Sequence, residues 1–240
     1  METKTYTSAI VRNTVDEGLR SYMLKVYNYM AGGLCLTALT IYLLLRTGLI
    51  GMFITINNNM LSLSALGWIV AIAPLIMVFM FNSTIRKGSI ASVQVIFGLF
   101  SAVMGASMAP LMLVYTGASV LRVFLITAAT FGAMSLYGYT TKKDLTSMGS
   151  FLIMGLWGII IASLVNIFMQ SATVYWVISY IGIAIFVGLT AYDTQKIRTM
   201  YLSGDSEDII TRKAVIGAVE LYMDFINLFI YLLRVMGDRK

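Results

Sequence analysis

The sequence predicts an all-α integral membrane protein, and three observations carry that prediction. Hydrophobic residues make up 59% of the 240 residues and charged ones only 12%, where a soluble domain has about 25%. Apolar runs of about 18–25 residues recur along the chain, each long enough to cross roughly 30 Å of hydrocarbon. The basic residues fall in short clusters between those runs. The net charge of +6 therefore reads as a topology signal and not as a nucleic-acid surface. A mean hydropathy of +0.84 leaves no room for a separate soluble domain.

The elements follow in order. Residues 1–25 carry Lys4, Arg12, Asp16, Glu17, Arg20 and Lys25 without an apolar core, so they read as a cytoplasmic segment and not a cleavable signal peptide. A multi-pass helix bundle is expected over 26–236, with a tail at 237–240. The first span covers about Val26 to Leu45, and a polar linker with Asn57, Asn58 and Asn59 follows. The second runs from about Ser64 to Phe81, interrupted at Pro74, and ends in a basic turn with Arg86 and Lys87. The third, about Ile90 to Val114, places Gly98, Ala102, Gly105 and Ala109 on one face at the spacing that lets helices approach closely. Pro110 ends or kinks it. The fourth span is about Val120 to Tyr139, the fifth Met148 to Phe168 and the sixth Tyr175 to Tyr192. A charged loop from Asp193 to Lys213 leads to the last span, Ala214 to Val235.

Charge asymmetry sets the orientation. With a cytoplasmic N-terminus, Lys25, Arg86, Lys87, Lys142, Lys143, Lys196, Arg198, Arg212 and Lys213 all fall inside, while Arg46 and Arg122 fall outside. Seven full spans put Arg234, Arg239 and Lys240 outside against that bias; a re-entrant last helix would keep them inside. Both arrangements are compatible with the sequence.

Several chemistries are excluded. The chain has no histidine and one cysteine, Cys35, which rules out internal disulfides, Cys/His zinc sites and Ser-His or Cys-His nucleophile pairs. Asp205, Glu207 and Asp208 lack the alternating carboxylates and closing glutamate of an EF-hand. No tightly bound cofactor is expected.

What the sequence does offer is acid inside the membrane. Glu220, Asp224, Asn227 and Tyr231 lie at i, i+4, i+7 and i+11 on one face of the last span. Asp224 sits near its middle, where an ionised carboxylate facing lipid would cost at least a few kcal/mol. It must face a helix or a water-filled path. Asp193 closes the preceding span, and the two carboxyls can meet if that helix continues a turn or more beyond Tyr192. A pair in low dielectric cannot both ionise cheaply, so it shares a proton and titrates as a unit. Protonated, it is a closed contact; ionised, it repels and presents hard oxygens to a cation.

The stretch from Leu221 to Arg234, with Ala191-Tyr192-Asp193-Thr194-Gln195-Lys196-Ile197 before it, resembles the closing helices of the transmembrane Bax inhibitor motif family. Thr141 to Leu145, Asn166 to Phe168 and Ala109-Pro110-Leu111 match as well, and the resemblance is to a bacterial member from about residue 20 onward. It implies six helices around a central C-terminal seventh, in a bacterial cell (inner) membrane, and a pH-sensitive calcium leak through the bundle. In that family the aspartates matching Asp193 and Asp224 form the pH-sensing pair, and the basic residue matching Arg86 latches it. One branch also carries a glutamate in span two; this chain has no acidic residue between Thr47 and Arg86.

The leading expectation is therefore a non-enzymatic leak. Its partners are the bilayer, protons and calcium, which is held weakly and transiently by Asp193 and Asp224 with Asn227 and waters. The second is a non-conducting protein that regulates a membrane-protein partner, such as a protease, or a stress or cell-death response. An intramembrane aspartyl protease fits Tyr192-Asp193, but Leu221 and Met223 stand where such enzymes need Gly-x-Gly.

Overall fold

Lipid offers no water to backbone N–H and C=O groups, so apolar runs must satisfy them internally as helices. In the computed structural model, the backbone is described over residues 2–57, 60–87 and 89–240, and side chains over 17–55, 62–78 and 89–240. The elements are α1 (Glu2–Thr47), a 3-10 turn (Leu49–Met52), a hairpin of β1 (Ile54–Asn57) and β2 (Met60–Leu63), α2 (Ala65–Lys87) and α3 (Ile90–Met108). A single turn, α4 (Leu111–Val114), leads to α5 (Gly117–Thr140), α6 (Thr146–Met169), α7 (Ala172–Thr199) and α8 (Glu207–Met236). Among the described residues six helices are long and apolar enough to cross a membrane, α4 counting with α3. The seventh long helix, α2, has Ala65–Val78 as its described apolar stretch.

Four expectations shift. The boundary at residue 25 lies within one 46-residue helix, and Tyr22 and Met23 are already in the core. The linker around Asn57 carries an antiparallel hairpin pairing Ile54 with Leu63 and Asn57 with Met60; β-branched Ile54, Thr55 and Ile56 favour it, and Asn58 and Asn59 lie outside the described residues. Pro74 stands inside α2 without ending it, as membrane helices tolerate. The charged loop shrinks to residues 200–206, because Ile197 and Ala214 are buried and keep both helices going.

Pro110 does separate α3 from α4, standing just before Leu111. Gly105 permits the α1–α3 contact, since a Cβ there would meet the Thr37 carbonyl oxygen at 2.6 Å. Gly98 is under no such constraint: its nearest neighbour would be a Leu36 methyl at 3.8 Å.

At the centre, α8 packs on α7, α1, α5 and α3, while α2 lies outside on α3 and α6 outside on α7. Near its start, Lys213 Nζ donates to the Met200 carbonyl at 2.8 Å. At its end, Thr116 N donates to Asp238 O and Lys240 N to Val114 O, both at 2.9 Å. The last helix thus traverses the bundle fully and does not re-enter.

Candidate functional site

The helix α7 runs seven residues past Tyr192, to Thr199, so the condition for the two aspartates to meet is fulfilled. Their side chains come within direct interaction range across the α7–α8 interface. Two carboxyls that close can bond to each other only when one carries a proton. Asp224 is 5% exposed and the Asp193 side chain 15%, so the two meet inside the protein.

The neighbours come from three helices. Lys196, one turn on from Asp193, donates to Glu220 Oε1 at 2.8 Å and stands 3.9 Å from Asp193 Oδ1. Glu220 is one turn before Asp224, so the antiparallel helices stack a lysine–glutamate pair beside the aspartate pair. Three buried oxygens here have no hydrogen-bond partner: Asp224 Oδ2, Glu220 Oε2 and Tyr22 Oη of α1. Unsatisfied buried oxygens are costly; the Tyr22 hydroxyl can itself donate, while an ionised carboxylate only accepts.

Hydroxyl bridges fix the surrounding helices. Tyr27 Oη and Ser135 Oγ lie 2.6 Å apart, and Ser135 Oγ and Thr194 Oγ1 3.0 Å apart, joining α1, α5 and α7 next to Asp193. Thr37 donates to the Ser101 carbonyl at 2.9 Å and lies 2.7 Å from Tyr222 Oη, joining α1, α3 and α8. Gly138 lets α5 touch α7 at this level: a Cβ would sit 2.2 Å from the Ala191 carbonyl oxygen. Beyond the pair the interior is filled by Phe225, Leu228, Phe229 and Leu232, and the Phe186 and Tyr231 rings stack at 5.8 Å. The interior is closed there.

The expected site residues therefore separate. Asp193, Asp224 and Glu220 come together. Asn227 turns its amide to its own helix, donating to the Met223 carbonyl at 2.8 Å. The side chain of Arg86 lies outside the described residues. Among the described residues no group of three or more acidic, histidine or cysteine side chains is placed to hold a metal. Lys196 and Tyr22 were not anticipated. The spacing signalled Lys196: it lies three residues after Asp193 and Glu220 four before Asp224, so aligning the aspartates on antiparallel helices aligns the other two. Nothing local marks Tyr22.

Known proteins share this chain's length and pattern. It is 42% identical to the inner membrane protein YbhL of Escherichia coli over 225 residues, 93% of this chain and 94% of that one. A Rickettsia prowazekii protein is 43% identical over 238 residues, 99% and 98% of the two chains. A membrane protein of Streptococcus pyogenes is 36% identical over 231 residues, 95% and 97%. Residues 19–240 match the family described as inhibitor of apoptosis-promoting Bax1, and this multi-pass membrane protein belongs to that Bax inhibitor family.

Proposed function

We propose that the protein is a pH-sensitive, calcium-permeable leak of a bacterial inner membrane, gated by the Asp193–Asp224 pair. One observation carries the reading: two carboxyls from adjacent spans face each other inside the bundle, Asp224 5% exposed and the Asp193 side chain 15%. Carboxyls buried in a membrane protein mark ion or proton paths, and a pair that shares a proton titrates as one unit. Losing that proton replaces a bond with a repulsion and frees hard oxygens, which suit calcium. Glu220 adds a further acidic group beside the pair, and Lys196 neutralises it while the pair is closed.

The test is calcium entry into dye-loaded proteoliposomes at about pH 6, 7 and 8, for the wild type and Asp224→Asn. A flux that varies with pH in the wild type and flattens in the isosteric variant supports the reading. No flux above empty liposomes, from protein shown to be folded, removes it in favour of a regulatory membrane protein that does not conduct.

A further inference from the structure

A recess of about 760 Å³ opens at the basic end of the bundle, sharing Lys196 with the surroundings of the acid pair. It lies between the end of α5, the loop at 141–145, the start of α6 and the end of α7. Lys142, Lys143, Lys196 and Arg198 line it, against a single carboxylate, Asp144. Three of these five charges are already engaged. Lys196 is held by Glu220. Arg198 donates to the Tyr139 carbonyl at 2.8 Å and lies over that ring at 5.6 Å. Asp144 accepts from the Thr146 hydroxyl at 2.6 Å and its amide at 2.9 Å. Lys142 and Lys143 have no ion-pair partner among the described residues.

The loop that carries those two lysines is held in place. Gln195 of α7 accepts from Leu145 N at 2.8 Å and donates to the Lys143 carbonyl at 2.7 Å. Lys143 N donates to Thr141 Oγ1 at 3.2 Å. One amide side chain thus ties the loop to α7 and sets the backbone from which both ammonium groups project.

The apolar surroundings say what kind of anion fits. Both α5 and α6 pack mainly on α7 rather than on each other. Leu136 and Tyr137 on α5, and Met148 and Phe151 on α6, are exposed within a few turns of the recess. A soluble anion has no use for such flanks, whereas acyl chains do. We propose that the recess binds the phosphate of an anionic phospholipid headgroup, with Lys142 and Lys143 as its cations and Gln195 as the residue that positions them.

The experiment compares retention of phosphatidylglycerol and phosphatidylcholine by delipidated protein in detergent, read by native mass spectrometry. The wild type should prefer phosphatidylglycerol, and Lys142→Gln/Lys143→Gln should reduce that preference by about thirtyfold, at the usual strength of a basic residue near an anionic surface. Gln195→Ala keeps every cation but releases the loop, so it should lose a substantial part of the preference. Arg239→Gln/Lys240→Gln, at the opposite end, should keep it. Equal retention of both lipids by the wild type overturns the proposal, as does a double lysine variant that behaves like the wild type. A Gln195→Ala variant with full preference reduces the recess to diffuse surface charge and also overturns it. Displacement of the lipid by inorganic phosphate at comparable concentration assigns the recess to a soluble anion instead. Thermal melts of all variants verify folding.

Discussion

The two ends of α8 hold charges of the same kinds in opposite settings. Around its middle, Glu220 and Asp224 meet Asp193 and Lys196 inside the bundle. At its far end, Arg122 and Asp238 make an ion pair at 3.0 Å whose side chains are 54% and 66% exposed. Distance alone does not separate them, since Lys196 stands 2.8 Å from Glu220 and 3.9 Å from Asp193. Water does: an exposed pair is screened and contributes up to about 1 kcal/mol. A buried group left without its partner costs several times that. Burial decides which charges on this helix can act as a switch.

The sharpest way to break that contrast is to remove the inner acids together. Asp193→Asn and Asp224→Asn should each weaken the pH dependence of the flux. The double variant should lose no more than Asp224→Asn alone, because either change destroys the shared proton. Contacting groups couple by about 0.5–3 kcal/mol, and independent ones add. Simple additivity would show that the two carboxyls titrate separately.

A smaller effect tests the neighbouring pair. Lys196→Met leaves Glu220 without a cation while its Oε2 already lacks a partner. Lys196 and Glu220 are 38% and 29% exposed, so the full cost of a buried orphan charge does not apply; a loss of about 1–2 kcal/mol is expected. Adding Glu220→Gln should restore most of it. Denaturant titration of the three variants measures both steps, and a double variant less stable than Lys196→Met would show that the pair is not the unit.

The same contrast explains what could be read from the sequence. Seven apolar runs, the small-residue contact at Gly105 and a carboxylate within a span were all legible, because lipid admits few alternatives for each. The ends of α7 and α8 were not. Lys196, Arg198, Arg212 and Lys213 look like loop residues on composition, yet each extends a helix whose other face is apolar. Asn227 shared the right helical face with Asp224 but satisfies its amide one turn back on its own backbone, a choice that spacing cannot reveal. Tyr22 was invisible because what it packs against, the Tyr201 ring, lies far away in the chain.

Removing residues 237–240 probes the outer end at the level of backbone. It deletes the bonds from Thr116 N, Lys240 N and Asp238 N, together with the bridge between Tyr115 and Arg239. Water can replace these bonds at an exposed end, so a loss of about 1 kcal/mol is expected, with no change in how flux depends on pH. An altered pH profile would mean that the strap communicates with the acid pair and that the two ends are not independent.

Asp238→Asn is the mildest intervention and the most direct comparison with Asp224→Asn, being the same chemical change on the same stretch of chain. It removes the charge that faces Arg122 but keeps the backbone bonds from Thr116 N to Asp238 O and from Asp238 N to Ser119 Oγ at 3.1 Å. Arg122 also retains its bond to the Met236 carbonyl at 3.0 Å, so it is not stranded. The expected change in stability is within about 0.5 kcal/mol, shrinking further as salt is added because the pair lies in water. Denaturant titration at low and high ionic strength checks it. A loss above about 1 kcal/mol that persists at high salt would place the outer pair in a low-dielectric setting, and burial would then no longer separate the two ends of α8.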